Sequence, residues 1–129
     1  MSDEEYMKIA RQACKYSYSP YSNFKVGACL VTKNNKYYTG CNVENDGIQS
    51  ICAERVAFTK AISSGDREFS KIYVTATKDL NEYIGTIPCG YCRQFMTEFV
   101  DDDFKIYVEK DGKIKEYSMK ELLPYSYSF

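Results

Sequence analysis

At 129 residues the chain is long enough to bury one real core and too short for two, so a single domain over 1–129 with a single site is expected. Hydrophobic residues at 44% and charged residues at 27% exclude disorder and fibrous repeats. The formal net charge of −1 argues against a phosphate-neutralising surface, and so against nucleic acid as a partner; no apolar run approaches the roughly 20 residues of a membrane span.

The N-terminus carries acidic residues where a secretory signal needs a basic start and an apolar stretch, so the expected localisation is cytoplasmic. Ser2-x-x-Glu5 is a capping box followed by Tyr6, Ile9, Ala10, Ala13 and Cys14 at helical spacing, which predicts a helix to about Lys15. Phe24 to Val31 and Tyr37 to Val43 read as strands joined in a hairpin by Lys33-Asn34-Asn35-Lys36. A polar loop, Asn45 to Ser50, leads into Cys52 to Ile62, where Ala53, Val56, Ala57 and Ala61 have helical spacing before a stop at Gly65. Lys71 to Ala76 reads as a buried strand. Pro88 suits the first position of a third helix, which carries Cys89 and Cys92 and presents Phe95, Met96 and Phe99 to a core. Lys105 to Glu109 and Ile114 to Tyr117 flank an Asp111-Gly112 hairpin turn, and Met119 to Leu123 forms a short last helix. Helices alternate with strands and at least one hairpin makes the sheet mixed, so the fold class is α/β, a sandwich.

In a reducing compartment the six cysteines read as metal ligands, catalytic thiols or small core residues before they read as disulfides. The absence of histidine means that a transition-metal site must use thiolates or carboxylates, and a general base cannot be imidazole. Cys89 and Cys92 stand at i and i+3 on one helical face, close enough for one metal. Alone, that pair is equally a redox Cys-x-x-Cys or a corner of a structural Cys₄ zinc site. Cys52-Ala53-Glu54 adds a third cysteine at the start of another helix with a carboxylate two positions on, and a ligand-x-Glu paired with a later Pro-Cys-x-x-Cys is the zinc-deaminase signature. Three ligands leave a tetrahedral position open for water, whose pKa zinc lowers towards about 7, with Glu54 as proton shuttle. Cys52 and Glu54 serve one pocket only if it faces the helix N-terminus. Three thiolates on Zn²⁺ carry a net −1, which two helix N-termini and the neighbouring Arg55 and Arg93 oppose; Arg55 is the first candidate partner for the sulfurs, its alternative being a surface arginine.

These motifs, with Pro20-Tyr-Ser-Asn-Phe24-Lys-Val-Gly-Ala28, Gly40-Cys-Asn42-Val-Glu44-Asn45 and Glu121-Leu-Leu-Pro124 in the same order, make the chain resemble the cytidine deaminases of the small, homotetrameric, three-cysteine branch over nearly its whole length. The resemblance implies a three-layer α/β/α sandwich on a mixed five-stranded sheet. It implies that Asn42 and Glu44 bind the ribose, that Phe24 packs on the pyrimidine, and that the Ala53 amide and the Ile87 carbonyl meet the base carbonyl and the leaving amine. It also implies that Tyr127 reaches a neighbouring subunit's active site in a homotetramer, and that the reaction, in pyrimidine salvage, is hydrolytic deamination of cytidine and deoxycytidine to uridine and deoxyuridine. Read without it, Phe24 is a core aromatic, Asn42 and Glu44 are polar strand-end residues, and Tyr127 belongs to a frayed tail. Cys14, Cys29 and Cys41 match no ligand role and read as core residues.

The chain departs from the family in a 45–52 loop one residue shorter than usual, in Asp46-Gly47 within it, in Tyr91 where a small residue is common, and in Tyr127 where phenylalanine is common. Deamination within a nucleic-acid strand would want a basic channel and exposed stacking aromatics, which this near-neutral sequence does not show, and two other rival readings stand beside it. One keeps the chemistry and changes the substrate to a nucleoside antibiotic such as blasticidin S or another aminopyrimidine. The other is a non-catalytic zinc module in which Cys41 or Cys29 supplies a fourth sulfur.

Overall fold

The computed structural model describes residues 1–124. Helix α1, Asp3–Ala13, starts at the expected capping box, with the Ser2 hydroxyl accepting from the Glu5 amide and the Glu5 carboxylate accepting from the Ser2 amide. A 3₁₀ turn, Cys14–Tyr16, finishes it. Strands β1, Lys25–Thr32, and β2, Tyr37–Cys41, form the predicted hairpin. After α2, Ala53–Ser63, come β3, Phe69–Thr77, the two-residue β4, Tyr83–Ile84, and α3, Gly90–Met96. Strands β5, Lys105–Lys110, and β6, Lys113–Ser118, turn through Asp111 and Gly112, both at positive φ as a two-residue Asp-Gly hairpin demands. Helix α4, Met119–Leu122, follows.

The main strand order is β2-β1-β3-β5-β6, antiparallel except for the β3–β5 pair, which is parallel because α3 carries the chain across. The mixed five-stranded sheet is therefore present, and β4 adds a short antiparallel pairing to the end of β3. Two residues are too few to leave a period-2 signature, which is why the sequence reads through β4 as loop.

Alternate residues divide the sheet between two cores. Ala28, Leu30, Ile72, Val74, Ile106 and Val108 face α2 and α3, where Phe58 and Met96 fill the layer. Cys29, Val31 and Tyr73 face α1, meeting Tyr6, Met7 and Ala10. Helices on both faces make the three-layer α/β/α sandwich. On the α1 side the rings of Tyr6, Tyr73 and Tyr107 stack at 5.2 and 4.6 Å between centroids. Arg11 crosses this edge to the buried Glu109, which also accepts from Thr75 Oγ1 at 2.7 Å, so both carboxylate oxygens have partners. Among the described residues no helix is long and apolar enough to cross a membrane.

Several expected boundaries move: β2 ends at Cys41 rather than Val43, α1 ends at Ala13 with the 3₁₀ turn after it, and both ends of α3 differ. Pro88 is not the first residue of α3: Cys89 is the N-cap, and Pro88 precedes it. The reason is the Cys89 sulfur, which accepts from the Cys92 amide at 3.5 Å and so takes the capping role itself. Phe99 lies beyond the end of α3 at Met96, yet it still packs on the core with Phe95.

Helix α2 approaches β2 so closely that a Cβ built on Gly40 would lie 2.2 Å from the Ala53 carbonyl oxygen and 2.7 Å from the Ala57 amide nitrogen. Both atoms are backbone and cannot swing aside. Gly40→Ala is therefore expected to cost about 1–3 kcal/mol by overpacking, read as a lower urea midpoint. Gly90→Ala, whose Cβ would meet nothing within 4 Å, should leave the midpoint in place; equal midpoints for the two variants would refute the close-packing account.

Candidate active site

Cys52 is the N-cap of α2 and Cys89 the N-cap of α3, so two helix starts converge on one point. The sulfurs of Cys52, Cys89 and Cys92 all lie within 4.8 Å of one another. Cys52 to Cys89 is 3.8 Å and Cys89 to Cys92 is 3.5 Å. Tetrahedral zinc with Zn–S bonds of about 2.3 Å places its sulfurs about 3.8 Å apart, so the spacing and the soft donor set both fit that ion. Among the described residues the cluster numbers three. Cys29 lies buried on the α1 side of the sheet and Cys41 closes β2, so neither joins as a fourth sulfur. Cys14 and Cys29 are core residues as expected, while Cys41 is half-buried.

The sulfurs are held differently. Cys89 receives the Cys92 amide, and Cys52 receives Arg55 Nη2 at 3.8 Å. The Cys92 thiol, then Arg55 and Cys89, stabilise a negative Cys52 sulfur and bring its pKa down to about 5. The proton stays on Cys92, whose pKa is raised by Cys52 and by burial. Arg93 does not serve the sulfurs. Its Nε donates to the Pro88 carbonyl at 2.6 Å and its Nη1 to the Leu122 carbonyl at 3.0 Å, tying the metal-side turn to α4.

Glu54 follows at the second position of α2, its side chain buried at 4% exposure. Burial, reinforced by the charge on Cys52, pushes its pKa up to about 7. The carboxyl group thus sits where gain and loss of a proton are both accessible near neutral pH.

A cleft of about 260 Å³ opens onto this corner, and Phe24, Asn42, Glu44, Cys52, Ala53, Glu54, Ile87 and Cys89 all line it. These eight positions come from four separate stretches of chain, around residues 24, 42–44, 52–54 and 87–89. Val26, Ser50, Ile51 and Thr86 complete the wall. Val26 lies within the Pro20 to Ala28 motif and Ser50 and Ile51 just precede the first ligand, while no charge or motif marks Thr86. Tyr127 lies outside the described residues.

Asn42 and Glu44 stand just past the end of β2, held by backbone pairing of Val43 with Ile51 on one side and by the Tyr18 backbone on the other. Asn42 Oδ1 accepts from the Val26 amide at 2.9 Å and from Ser17 Oγ at 2.5 Å, while Nδ2 donates to the Phe24 carbonyl at 2.8 Å. One N–H of the amide is left to donate. Glu44 Oε1 accepts the Tyr21 and Ser22 amides at 3.0 and 3.1 Å, and Oε2 accepts Ser22 Oγ at 2.5 Å. The Ser22 hydroxyl, then these amides, hold the carboxyl below the usual carboxylate range against its partial burial. Three of about four acceptor directions are used, leaving one for a hydroxyl donor. The supporting serines, Ser17 and Ser22, were missed as partners; Ser22 sits inside the Pro20 to Phe24 motif, but nothing in the sequence says that it faces Glu44.

The family model for the cytidine and deoxycytidylate deaminase zinc-binding region matches residues 1–108. The chain is 40% identical over 126 residues to a cytidine deaminase of Halalkalibacterium halodurans, covering 96% of this chain and 92% of that one. It is 37% identical over 131 residues to a cytidine deaminase of Sporosarcina psychrophila, covering 99% and 93%. The crystal structure of a cytidine deaminase from Burkholderia pseudomallei superposes with a TM-score of 0.89 at 37% identity, covering 98% of this chain and 100% of that one. A blasticidin-S deaminase of Bacillus cereus is more distant, at 28% identity over 131 residues. Two converging N-caps, three sulfurs at zinc spacing and a buried carboxylate beside them agree with that match: the chain belongs to the zinc-binding cytidine and deoxycytidylate deaminase family.

Proposed function

We propose that the chain is a cytidine deaminase, converting cytidine and deoxycytidine to uridine and deoxyuridine with release of ammonia. The observation that carries this reading is a single cleft with a buried proton carrier, Glu54, beside the thiolate cluster at one end, and spare ribose-binding capacity on Asn42 and Glu44 at the other. Zinc, when bound by Cys52, Cys89 and Cys92, supplies the Lewis acid that makes water nucleophilic at neutral pH.

The chain's own residues then divide the work. Glu54 accepts a proton from the attacking water, hands one to N3 of the pyrimidine, and carries a further proton to the departing amine. Ala53 is the first residue of α2, so its amide is one of the donors the helix cannot satisfy and is available to the base carbonyl. The Ile87 carbonyl receives an N–H of the leaving amino group, and Phe24 packs against the ring. Asn42 donates its remaining N–H to one sugar hydroxyl and Glu44 accepts from the other.

The reading extends to a role in pyrimidine salvage in the cytoplasm by one catalytic domain, working as a homotetramer in which Tyr127 completes a neighbour's site. A second substrate reading keeps the chemistry and takes a modified aminopyrimidine nucleoside such as blasticidin S. What favours it is the short 45–51 loop at the cleft, where Asn45 and Ser50 bind each other and Ile48 is 99% exposed.

An absorbance assay over cytosine and adenine nucleosides and blasticidin S, with zinc and then with chelator, tests reaction, substrate and metal together. Cytidine and deoxycytidine should turn over and chelation should abolish it; turnover of blasticidin S alone would favour the second reading. Glu54→Gln should keep its zinc and lose about 10²–10⁴-fold in kcat, and near-normal activity would sink the shuttle role. Glu44→Ala removes a charged acceptor and should raise KM for cytidine about 10- to 100-fold with a smaller effect on kcat; an unchanged KM refutes the ribose assignment.

A further inference from the structure

Tyr91 lies between Cys89 and Cys92 in the chain, and no step of the reaction uses it. Its side chain is 67% exposed, yet its ring lies over the Arg55 guanidinium, 4.3 Å from centroid to Cζ. Tyr91 belongs to α3 and Arg55 to α2, so the contact bridges the two helices whose N-caps are metal-side sulfurs. The guanidinium it covers is thinly anchored. Arg55 Nη2 donates to the Ser50 carbonyl at 3.1 Å and to Cys52 Sγ at 3.8 Å, and among the described residues Nε, although buried, has no hydrogen-bond partner. Burial opposes the charge on Arg55, but hydrogen bonds to Cys52 and Cys92 outweigh that and raise its affinity for the proton.

Cys52 depends on this arginine more than Cys89 does. Cys89 takes a backbone amide from its own helix, and a backbone donor does not wander. For Cys52 the hydrogen-bond donor outside the sulfur cluster is the Arg55 side chain. An aromatic face that fixes the guanidinium plane therefore also fixes the edge aimed at the sulfur.

We infer that Tyr91 is a positioning residue of the metal site, its ring holding Arg55 against the Cys52 thiolate and so slowing loss of the zinc. The inference rests on the zinc reading above and concerns this chain's own departure at position 91. Interactions one layer out from a ligand commonly govern how well the metal is kept.

The test measures zinc release from the full-length holoprotein into excess chromophoric chelator, alongside the ligand-to-metal charge-transfer bands of the cobalt-substituted proteins. Tyr91→Ala and Tyr91→Leu, the second keeping bulk without a π face, should release zinc about 3- to 30-fold faster and shift the sulfur-to-cobalt bands. Tyr91→Phe, which keeps the face, should stay within about twofold of wild type, since the hydroxyl takes no part in the stacking. In an Arg55→Met background the Tyr91→Leu change should add nothing. Release from Tyr91→Ala and Tyr91→Leu at the wild-type rate overturns the inference, and so does an undiminished Tyr91→Leu effect in the Arg55→Met background. A wild-type protein that holds no zinc, or a Cys52→Ser protein that holds it equally well, overturns the zinc reading itself, and each is seen before the Tyr91 variants are compared.

Discussion

Three sulfurs within 4.8 Å can be supplied only by backbone segments that approach that closely, and here both segments are helix starts. A helix start is suited to this because its first amides have no partners within the helix and its chain enters in an extended conformation, leaving the N-cap side chain free to face outward. The two N-caps use their third helical residue in different ways. In α3 the Cys92 backbone amide turns back to the Cys89 sulfur, while in α2 the Arg55 side chain turns back to the Cys52 sulfur. One cap is satisfied by main chain, the other by charge. The contact at Gly40 makes the convergence possible, since a side chain there would lift the first turn of α2 off the sheet and carry Cys52, Ala53 and Glu54 with it.

The Asn42 and Glu44 end of the cleft is built by an opposite strategy, with no helix and little regular strand. Asn42 and Glu44 lie in a short extended stretch whose middle residue, Val43, pairs with Ile51 through two backbone hydrogen bonds of 2.9 Å. Ile51 is the neighbour of Cys52. The distance from Asn42 and Glu44 to the first metal-side residue is thus set by a single pair of main-chain bonds. The other flank, from Ser17 to Phe24, spends its serine hydroxyls and free amides on Asn42 and Glu44. Irregular loops on both sides are tolerable because their polar groups meet side chains rather than a ladder.

Much of this architecture is legible in the sequence because strong local signals coincide with it. The Ser2 capping box, the Asp111-Gly112 turn and the β-favouring runs of β1 and β3 each rest on short-range physics. The chemistry is legible for a different reason: three cysteines and a glutamate at these offsets have few other uses. What is hidden is long-range. Two residues of β4 carry no period, and Cys89 rather than Pro88 begins α3 because a sulfur acts as a cap. Arg55, the first candidate partner for the sulfurs, does meet Cys52, but no local signal says that Arg93 turns instead to the carbonyls of Pro88 and Leu122. Ser17 and Ser22 are ordinary loop serines until the fold brings them to Asn42 and Glu44.

The position of Glu54 within α2 reconciles two opposed requirements of the proton-carrying role proposed for it. A carboxyl group that carries protons must be shielded from water, and shielding alone would leave it neutral; one exposed to solvent would stay ionised. At the second helical residue it is 96% buried by side-chain packing, yet it stands in the first turn, where the helix's unsatisfied amides favour negative charge. One turn further along, at Phe58, the same face of the helix is fully buried in the hydrophobic core, and a glutamate there would have burial without any opposing field. The ligand-x-Glu spacing is therefore more than a convenience of reach. It places the carboxyl at a level of the helix where burial and the terminal field act against each other, so that its proton affinity is left near neutrality.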